Sequence, residues 1–376
     1  MLLKNAQILN DQFEWMRGDI RITDGRISEI GLSLTEEPYT VDCTGLLAVP
    51  GLVDIHTHGA AGVDYSTADA EAMGKALQFE AHRGVTTVLP TMMTMTPDMI
   101  EQAMEQVRAY RANPLPDASY VPGVHLEGPF FSKAKCGAQP PEWIIPPDKA
   151  LFTQWNRDGL VRLIAVAPEV PGALEFIRWV GQRTAVAVGH TAADYDTARR
   201  AFEAGACDAT HLYNGMTGAT HRAPGVVGAV WDTPGVTAEL ICDGRHIHPA
   251  IVRSTFSMMG DRVALISDSL LITGQPEGAQ ALDVAGNRIT IRDGRAELDN
   301  GTIAGSCTTL MECVRRAIAF GVRPELAFKA ASLTPARTVG IDNKVGSLAR
   351  GKRADILLLS PDYFVRRVFV GGYALR

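Results

Sequence analysis

The 376-residue chain has no apolar run near the ~18 residues needed to span a bilayer, so it offers no candidate membrane-crossing helix. Its opening, Met1 to Trp15, lacks the apolar core of an export signal and carries Asp11 and Glu14 early. The expected location is therefore the cytoplasm. Cysteine is sparse: Cys43, Cys136, Cys207, Cys242, Cys307 and Cys313, with no C-x-x-C pair. That removes the usual zinc-knuckle and redox patterns, and the six are expected as reduced, mostly buried thiols. A basic surplus is also missing. Lys plus Arg is 36 against 42 Asp plus Glu, a formal charge of −6, which argues against nucleic acid as a partner. A negative chain can still hold a locally positive pocket, so an anionic small molecule stays open. No repeat of fixed period and no low-complexity segment is present.

What is present is a globular composition, 46% hydrophobic and 21% charged, on a chain long enough for a large core. Both ends are built from short alternating runs broken by turns. Asp19 to Ile22, the Asp24-Gly25 turn and Arg26 to Ile30 read as a hairpin. Ala354 to Leu359, Pro361-Asp362 and Val365 to Val370 repeat the style. Isolated hairpins are marginal. Residues 1–48 and 346–376 are therefore expected to pair as one small β-sandwich made from both termini.

Residues 49–345 alternate strand-like and helix-like segments. The strand candidates are Val49–Ile55, Val85–Leu89, Val121–Leu126, Val161–Ala167, Thr184–Gly189, Cys207–His211, Val236–Cys242 and Val263–Ser267. Helical runs include Thr67 to Arg83, Pro97 to Tyr110, Ala173 to Val180, Tyr195 to Ala204 and Pro249 to Met259, with Thr308 to Phe320 and Pro324 to Ser332 closing the series. Eight such units predict an α/β fold, a (β/α)8 TIM-type barrel. The block near 275–301 breaks the rhythm and is expected to be a hairpin insertion.

Reactive groups of such barrels stand at the C-terminal ends of the strands. Those ends carry His56 and His58, Glu127, His190, His211 and Asp268. Two histidines two apart on a strand point to one side and can share a cation. A carboxylate such as Glu127 has two oxygens and can bridge two ions. His190 and His211 lie on adjacent strands about 5 Å apart. Imidazole and carboxylate together suit borderline divalent ions. Asp268 can also accept a proton and return it. Taken singly, each has an ordinary explanation, a core histidine or a helix-capping aspartate. Their joint placement at strand ends of a barrel inferred from other residues points to a metal site.

The run Val49-Pro50-Gly51-Leu52-Val53-Asp54-Ile55-His56-Thr57-His58-Gly59 resembles the opening signature of the amidohydrolase superfamily. His125-Leu126-Glu127-Gly128-Pro129-Phe130, Gly189-His190-Thr191, Thr210-His211-Leu212-Tyr213-Asn214-Gly215-Met216, Asp243-Gly244-Arg245-His246 and Ala304-Gly305-Ser306 resemble its N-acetylglucosamine-6-phosphate deacetylase family nearly end to end. The resemblance implies that Glu127, His190 and His211 hold the metal all members keep, and that His56 and His58 add a second in some. It implies Asp268 as the acid/base that also touches metal. It implies that Asn214, Gly215, Arg222 and His246 bind a sugar phosphate, with Arg222 reaching across a homodimer interface. Arg222 sits in the Gly/Pro loop Thr220–Gly225, and a guanidinium fork suits phosphate. Gln139 stands where the family usually has a substrate-contacting histidine; it can donate a hydrogen bond but carries no charge. Ser269 replaces a usual alanine, and Met216 to His221 differs from the common form.

The expected activity is metal-dependent hydrolysis of the N-acetyl amide of an N-acetylhexosamine 6-phosphate. The expected cofactor is one or two divalent ions per chain: zinc first, with iron, cobalt or manganese suited to the same ligands. Same-fold alternatives are deacylation of N-acetylgalactosamine 6-phosphate or of an N-acyl amino acid. A non-catalytic barrel is the alternative from another class, and an intact Asp268 speaks against it.

Overall fold

The computed structural model describes residues 1–375. Its centre is a sheet of eight parallel strands: β1 (Leu52–Thr57), β2 (Val85–Met92), β3 (Val124–Glu127), β4 (Val161–Val166), β5 (Ala185–Val188), β6 (Asp208–Ala209), β7 (Thr237–Ile241) and β8 (Val263–Ile266). They pair in chain order from β1 to β8. All eight expected strands are there. Closure of the barrel rests on the segment just past β8. Asp268 N–H donates to the His56 carbonyl at 2.9 Å, and His58 N–H donates to the Ser269 carbonyl at 2.8 Å.

Alternation along the strands sorts side chains between two apolar clusters. Leu163, Ala165, Ala187, Ile241 and Ile266 belong to one; Ile164, Val166, Val188, Leu240 and Leu265 belong to the other, which the outer helices complete. The same alternation turns His125 and Glu127 of β3, Asp208 of β6 and Glu239 of β7 away from the helices, into the barrel. All four are buried.

The helices follow their sequence signals. Ala70–His82 starts at Asp69, whose carboxylate accepts from Ala72 N–H. Pro97–Ala112 starts at Thr96 with proline in its first turn. Ala173–Val180, Tyr195–Ala204 and Pro249–Met259 take their expected bounds. Three short helices were not anticipated: Lys149–Trp155, Gly225–Trp231 and Leu333–Thr338. Gly-Val-Val-Gly-Ala-Val-Trp is apolar all round and buried from Gly225 to Val230, so it shows no amphipathic period. No described helix is long and apolar enough to cross a membrane.

Strands from both termini form a separate mixed sheet. Leu2–Leu9 pairs with Trp15–Thr23 on one side and with Thr40–Asp42 and Leu47–Pro50 on the other. Ile356–Leu359 joins the C-terminal strands to Leu47–Pro50. The sheet encloses its own core of Leu3, Ile8, Ile20, Ile356, Leu358 and Phe369, while Leu357 and Leu359 face the barrel's helical layer. Strands of both termini pair as expected, hydrogen-bonded as one sheet that is continuous through Leu2–Leu9 and packs around this core. The insertion is three-stranded rather than a single hairpin: Gln280–Leu282, Arg288–Arg292 and Arg295–Leu298 are antiparallel. Turns at Gly286 and Gly294, both at positive φ, make two hairpins in succession.

Candidate metal centre

The polar strand ends meet in one cluster. Glu127 lies at its middle. Its Oε1 is 3.1 Å from His190 Nε2, 3.0 Å from His211 Nε2 and 3.4 Å from His56 Nε2; its Oε2 is 3.2 Å from His58 Nε2. Asp268 closes the ring, with Oδ1 3.3 Å from His58 Nε2 and 3.5 Å from His56 Nε2. Three groups of close ligand atoms result: Glu127, His190 and His211; beside them His56, His58 and Asp268; and, away from the cavity, His56 with His125 and Glu239.

The donor atoms are prepared for a cation. His190 Nδ1–H donates to the Lys135 carbonyl at 3.0 Å, and His211 Nδ1–H to the Asn214 carbonyl at 3.1 Å. His56 Nδ1–H donates to Glu239 Oε2 at 2.8 Å. In each ring that leaves the Nε2 lone pair turned inward, the arrangement of a metal-binding imidazole. His56 Nε2 is buried with no hydrogen-bond partner, an orphan that a bound ion would satisfy. These residues fit a divalent metal in donor type and number.

The backbone at the ligands is bent. His190 (φ 45°), His211 (φ 29°) and Asp268 (φ 48°) all take left-handed conformations that cost non-glycine residues about 1–3 kcal/mol each. Neighbours hold them there. Ser132 N–H donates to the His190 carbonyl at 3.0 Å, and Ser306 N–H to that of Asp268 at 2.6 Å. Gly215, itself at φ 59°, lies against both imidazoles: a Cβ there would stand 3.2 Å from His190 Nδ1 and 3.4 Å from His211 Cε1.

The charges answer one another. Burial alone would raise Glu127, but His56, His190 and His211 outweigh it and hold its carboxyl well below the usual range. Asp268 is likewise lowered, by His56 and His58 against burial. Burial pulls His58 down, but Asp268 and Glu127 lift it to about 9 in the metal-free chain. His125, fully buried, is pushed well below its ordinary value by burial and by His56.

A cavity of about 460 Å³ opens over the cluster. His58, Glu127, His190, His211, Asp268, Gln139, Asn214, Gly215 and His246 all line it, whereas His56 is wholly buried beneath. Asp243 accepts from His246 Nδ1 at 2.8 Å, leaving Nε2 for a ligand. Gln139 is turned inward. Its Nε2 donates to Glu127 Oε2 at 2.5 Å and its Oε1 accepts from Thr94 N–H at 2.7 Å, so both ends of the amide are engaged within the chain. Arg222 is exposed and is not part of this cavity's wall. Lys135, which the sequence pattern did not single out, is the one lysine or arginine on that wall among the described residues. Glu239 was also missed. Its only signal was an acid inside the apolar run Val236 to Cys242. His82 and His248 are structural: His82 Nδ1 donates to the Gln78 carbonyl, and His248 caps Pro249–Met259.

Comparison with known proteins shows the family. The pattern of the amidohydrolase family matches residues 47–375. An N-acetylgalactosamine-6-phosphate deacetylase of Escherichia coli O157:H7 is 36% identical, covering 99% of this chain and 98% of that one. An N-acetylglucosamine-6-phosphate deacetylase of Bacillus subtilis is 34% identical, covering 96% and 93%. Among solved structures, an alanine mutant of N-acetylglucosamine-6-phosphate deacetylase from Mycobacterium smegmatis, in complex with N-acetylglucosamine 6-phosphate, superposes with a TM-score of 0.92 at 32% identity, covering 100% and 98%. The chain belongs to the amidohydrolase family, in its N-acetylglucosamine-6-phosphate deacetylase group, and is a hydrolytic enzyme.

Proposed function

We propose that this enzyme hydrolyses the N-acetyl amide of an N-acetylhexosamine 6-phosphate, N-acetylglucosamine 6-phosphate first, to acetate and the amino sugar phosphate. One observation carries the proposal. Asp268, 6% exposed, stands beside the histidine cluster at the floor of a cavity whose wall also offers Lys135 and His246 to an anionic group. When bound, the metal polarises the acetyl carbonyl and lowers the pKa of the attacking water. Glu127, His190 and His211 would hold one ion; His56, His58 and Asp268 support a second. Zinc suits the donors best, and iron, cobalt or manganese suit them as well.

Asp268 is the proton carrier. His56 and His58 keep its carboxylate ionised, so it is ready to take a proton from the attacking water. It then delivers that proton to the departing nitrogen, which leaves as the free amine. Asn214 and Gly215 border the sugar, and His246 and Lys135 face the phosphate. Gln139 acts here by holding Glu127. Arg222 is exposed and away from its own chain's cavity, which supports its contribution to a partner's site in a homodimer. The reading places the enzyme in the cytoplasm, acting on a small phosphorylated amino sugar.

A second substrate, N-acetylgalactosamine 6-phosphate, is favoured by the 36% identical relative of that name. Acetate release from N-acetylglucosamine, N-acetylgalactosamine and N-acetylmannosamine 6-phosphates, with the unphosphorylated sugars alongside, separates the two. The proposal expects a phosphorylated sugar to be best by at least about tenfold, the worth of one charge-assisted contact. Equal rates with and without phosphate would overturn it.

A further inference from the structure

Glu239 enters none of the steps above. It is fully buried on β7 between Ala238 and Leu240, both packed in the helical layer. A carboxylate at that depth needs partners. Its Oε2 has two. It accepts from His56 Nδ1–H at 2.8 Å and from the backbone N–H of His211 at 3.1 Å. These partners belong to different metal groups: His56 to the one with His58 and Asp268, His211 to the one with Glu127 and His190. A single oxygen therefore ties the two halves of the centre together.

The three tethered imidazoles are not held alike. His190 and His211 donate to backbone carbonyls, whereas His56 donates to a carboxylate. A charged acceptor fixes the ring and makes its other nitrogen a stronger donor. On the far side the environment is polar but unpaired. Glu239 Oε1, both oxygens of Asp208 and both ring nitrogens of His125 are buried without hydrogen-bond partners, and His125 packs edge-on against His56 at 4.6 Å. The two hydrogen bonds that this carboxylate accepts, from the His56 ring and from the His211 backbone, both come from candidate metal-binding residues, while burial and the Glu239 charge hold its neighbour Asp208 well above the usual carboxyl range.

We infer that Glu239 is a positioning residue for both metal groups: its Oε2 fixes the tautomer of His56 and pins the left-handed backbone of His211, and so determines whether the His56–His58–Asp268 group takes up an ion beside that of Glu127–His190–His211. The inference rests on the reading that His56 and His58 hold a second ion.

The test compares wild type, Glu239→Gln and Glu239→Leu. Glutamine keeps an acceptor oxygen without the charge; leucine removes both. Ions bound per chain are measured against buffered free Zn²⁺, and the visible absorption of the Co²⁺-loaded protein reports ligand geometry. Wild type should take up two ions. Glu239→Gln should weaken uptake of one of them by about 10–100-fold and leave the other unchanged. Glu239→Leu should take up at most one, with an altered Co²⁺ spectrum; if it fails to fold, the glutamine variant decides. A wild type that binds a single ion overturns the two-ion reading, and this inference with it. A wild type and variants that all bind two ions with the same affinity and the same spectrum overturn the inference alone, whatever happens to thermal stability.

Discussion

Gly215→Ala adds one carbon at a position that touches both histidines of the Glu127–His190–His211 group. Two costs follow. Alanine in the left-handed conformation at φ 59° costs about 1 kcal/mol more than glycine. The new Cβ would also lie 3.2 Å from His190 Nδ1, tighter than ordinary contact, and 3.4 Å from both Cε1 atoms, at the edge of ordinary contact. His190 has little room to yield. Its Nδ1–H is tied to the Lys135 carbonyl, and its ring packs on Phe131 with centroids 4.5 Å apart. The strain is relieved by shifting Nε2 a few tenths of an ångström away from Glu127 and His211. A displacement of that kind at a ligand weakens metal affinity about 10–100-fold. Competition against a chelator series reads the affinity, and denaturant unfolding of the metal-free chain reads the conformational cost separately. A variant that holds its metal as tightly as wild type would refute the idea that Gly215 is kept small for the imidazoles.

Asp268→Asn keeps shape but cannot carry a proton; turnover should fall about 10²–10⁴-fold with KM nearly unchanged, and a steady-state rate within a few-fold of wild type would remove Asp268 from the chemistry. Glu80 is fully buried beside Asp54, has an unpartnered Oε1, and is pushed up to about 8 by burial. Between its ordinary value and about 8 the native chain holds a proton that the unfolded chain has lost, so stability should fall as pH rises, by about 1.4 kcal/mol per unit for each such proton. Glu80→Gln should flatten that slope in urea titrations between pH 5 and 8, and an unchanged slope would rule Glu80 out. Arg222→Ala should raise KM about 10- to 150-fold for a phosphorylated sugar, the equivalent of about 1.5–3 kcal/mol, and barely for the same sugar without phosphate. Co-expression of Asp268→Asn with Arg222→Ala chains should restore low-KM sites; hybrid dimers without recovery would place Arg222 outside a shared site.

The barrel was legible because its strands are apolar runs that end in Gly or polar residues, and because long amphipathic helices separate them. The candidate metal-binding cluster was legible because its residues stand next to those runs: His190 after Gly189, His211 after Thr210, Asp268 after Ser267. Residues that act through a neighbour left no such mark. Glu239 is one acid in an apolar strand, and only its hydrogen bonds to His56 and His211 reveal what it holds. Lys135 ends the single 3-10 turn Lys133–Lys135, where nothing local tells a cavity lysine from a solvated one. Gln139 lines the cavity, and its amide also spans Thr94 and Glu127, a pairing 45 and 12 residues away in sequence that periodicity does not encode. The short helix Gly225–Trp231 escaped because it is buried on nearly every side.

Metal content and acetate release, measured on the same preparations, bear most directly on the proposed chemistry. Wild type should carry at least one divalent ion per chain and release acetate from N-acetylglucosamine 6-phosphate. His211→Ala should lose the ion of the Glu127–His190–His211 group and the activity together. Wild-type protein stripped of metal, shown by elemental analysis to be empty, and still releasing acetate at the full rate would contradict the scheme.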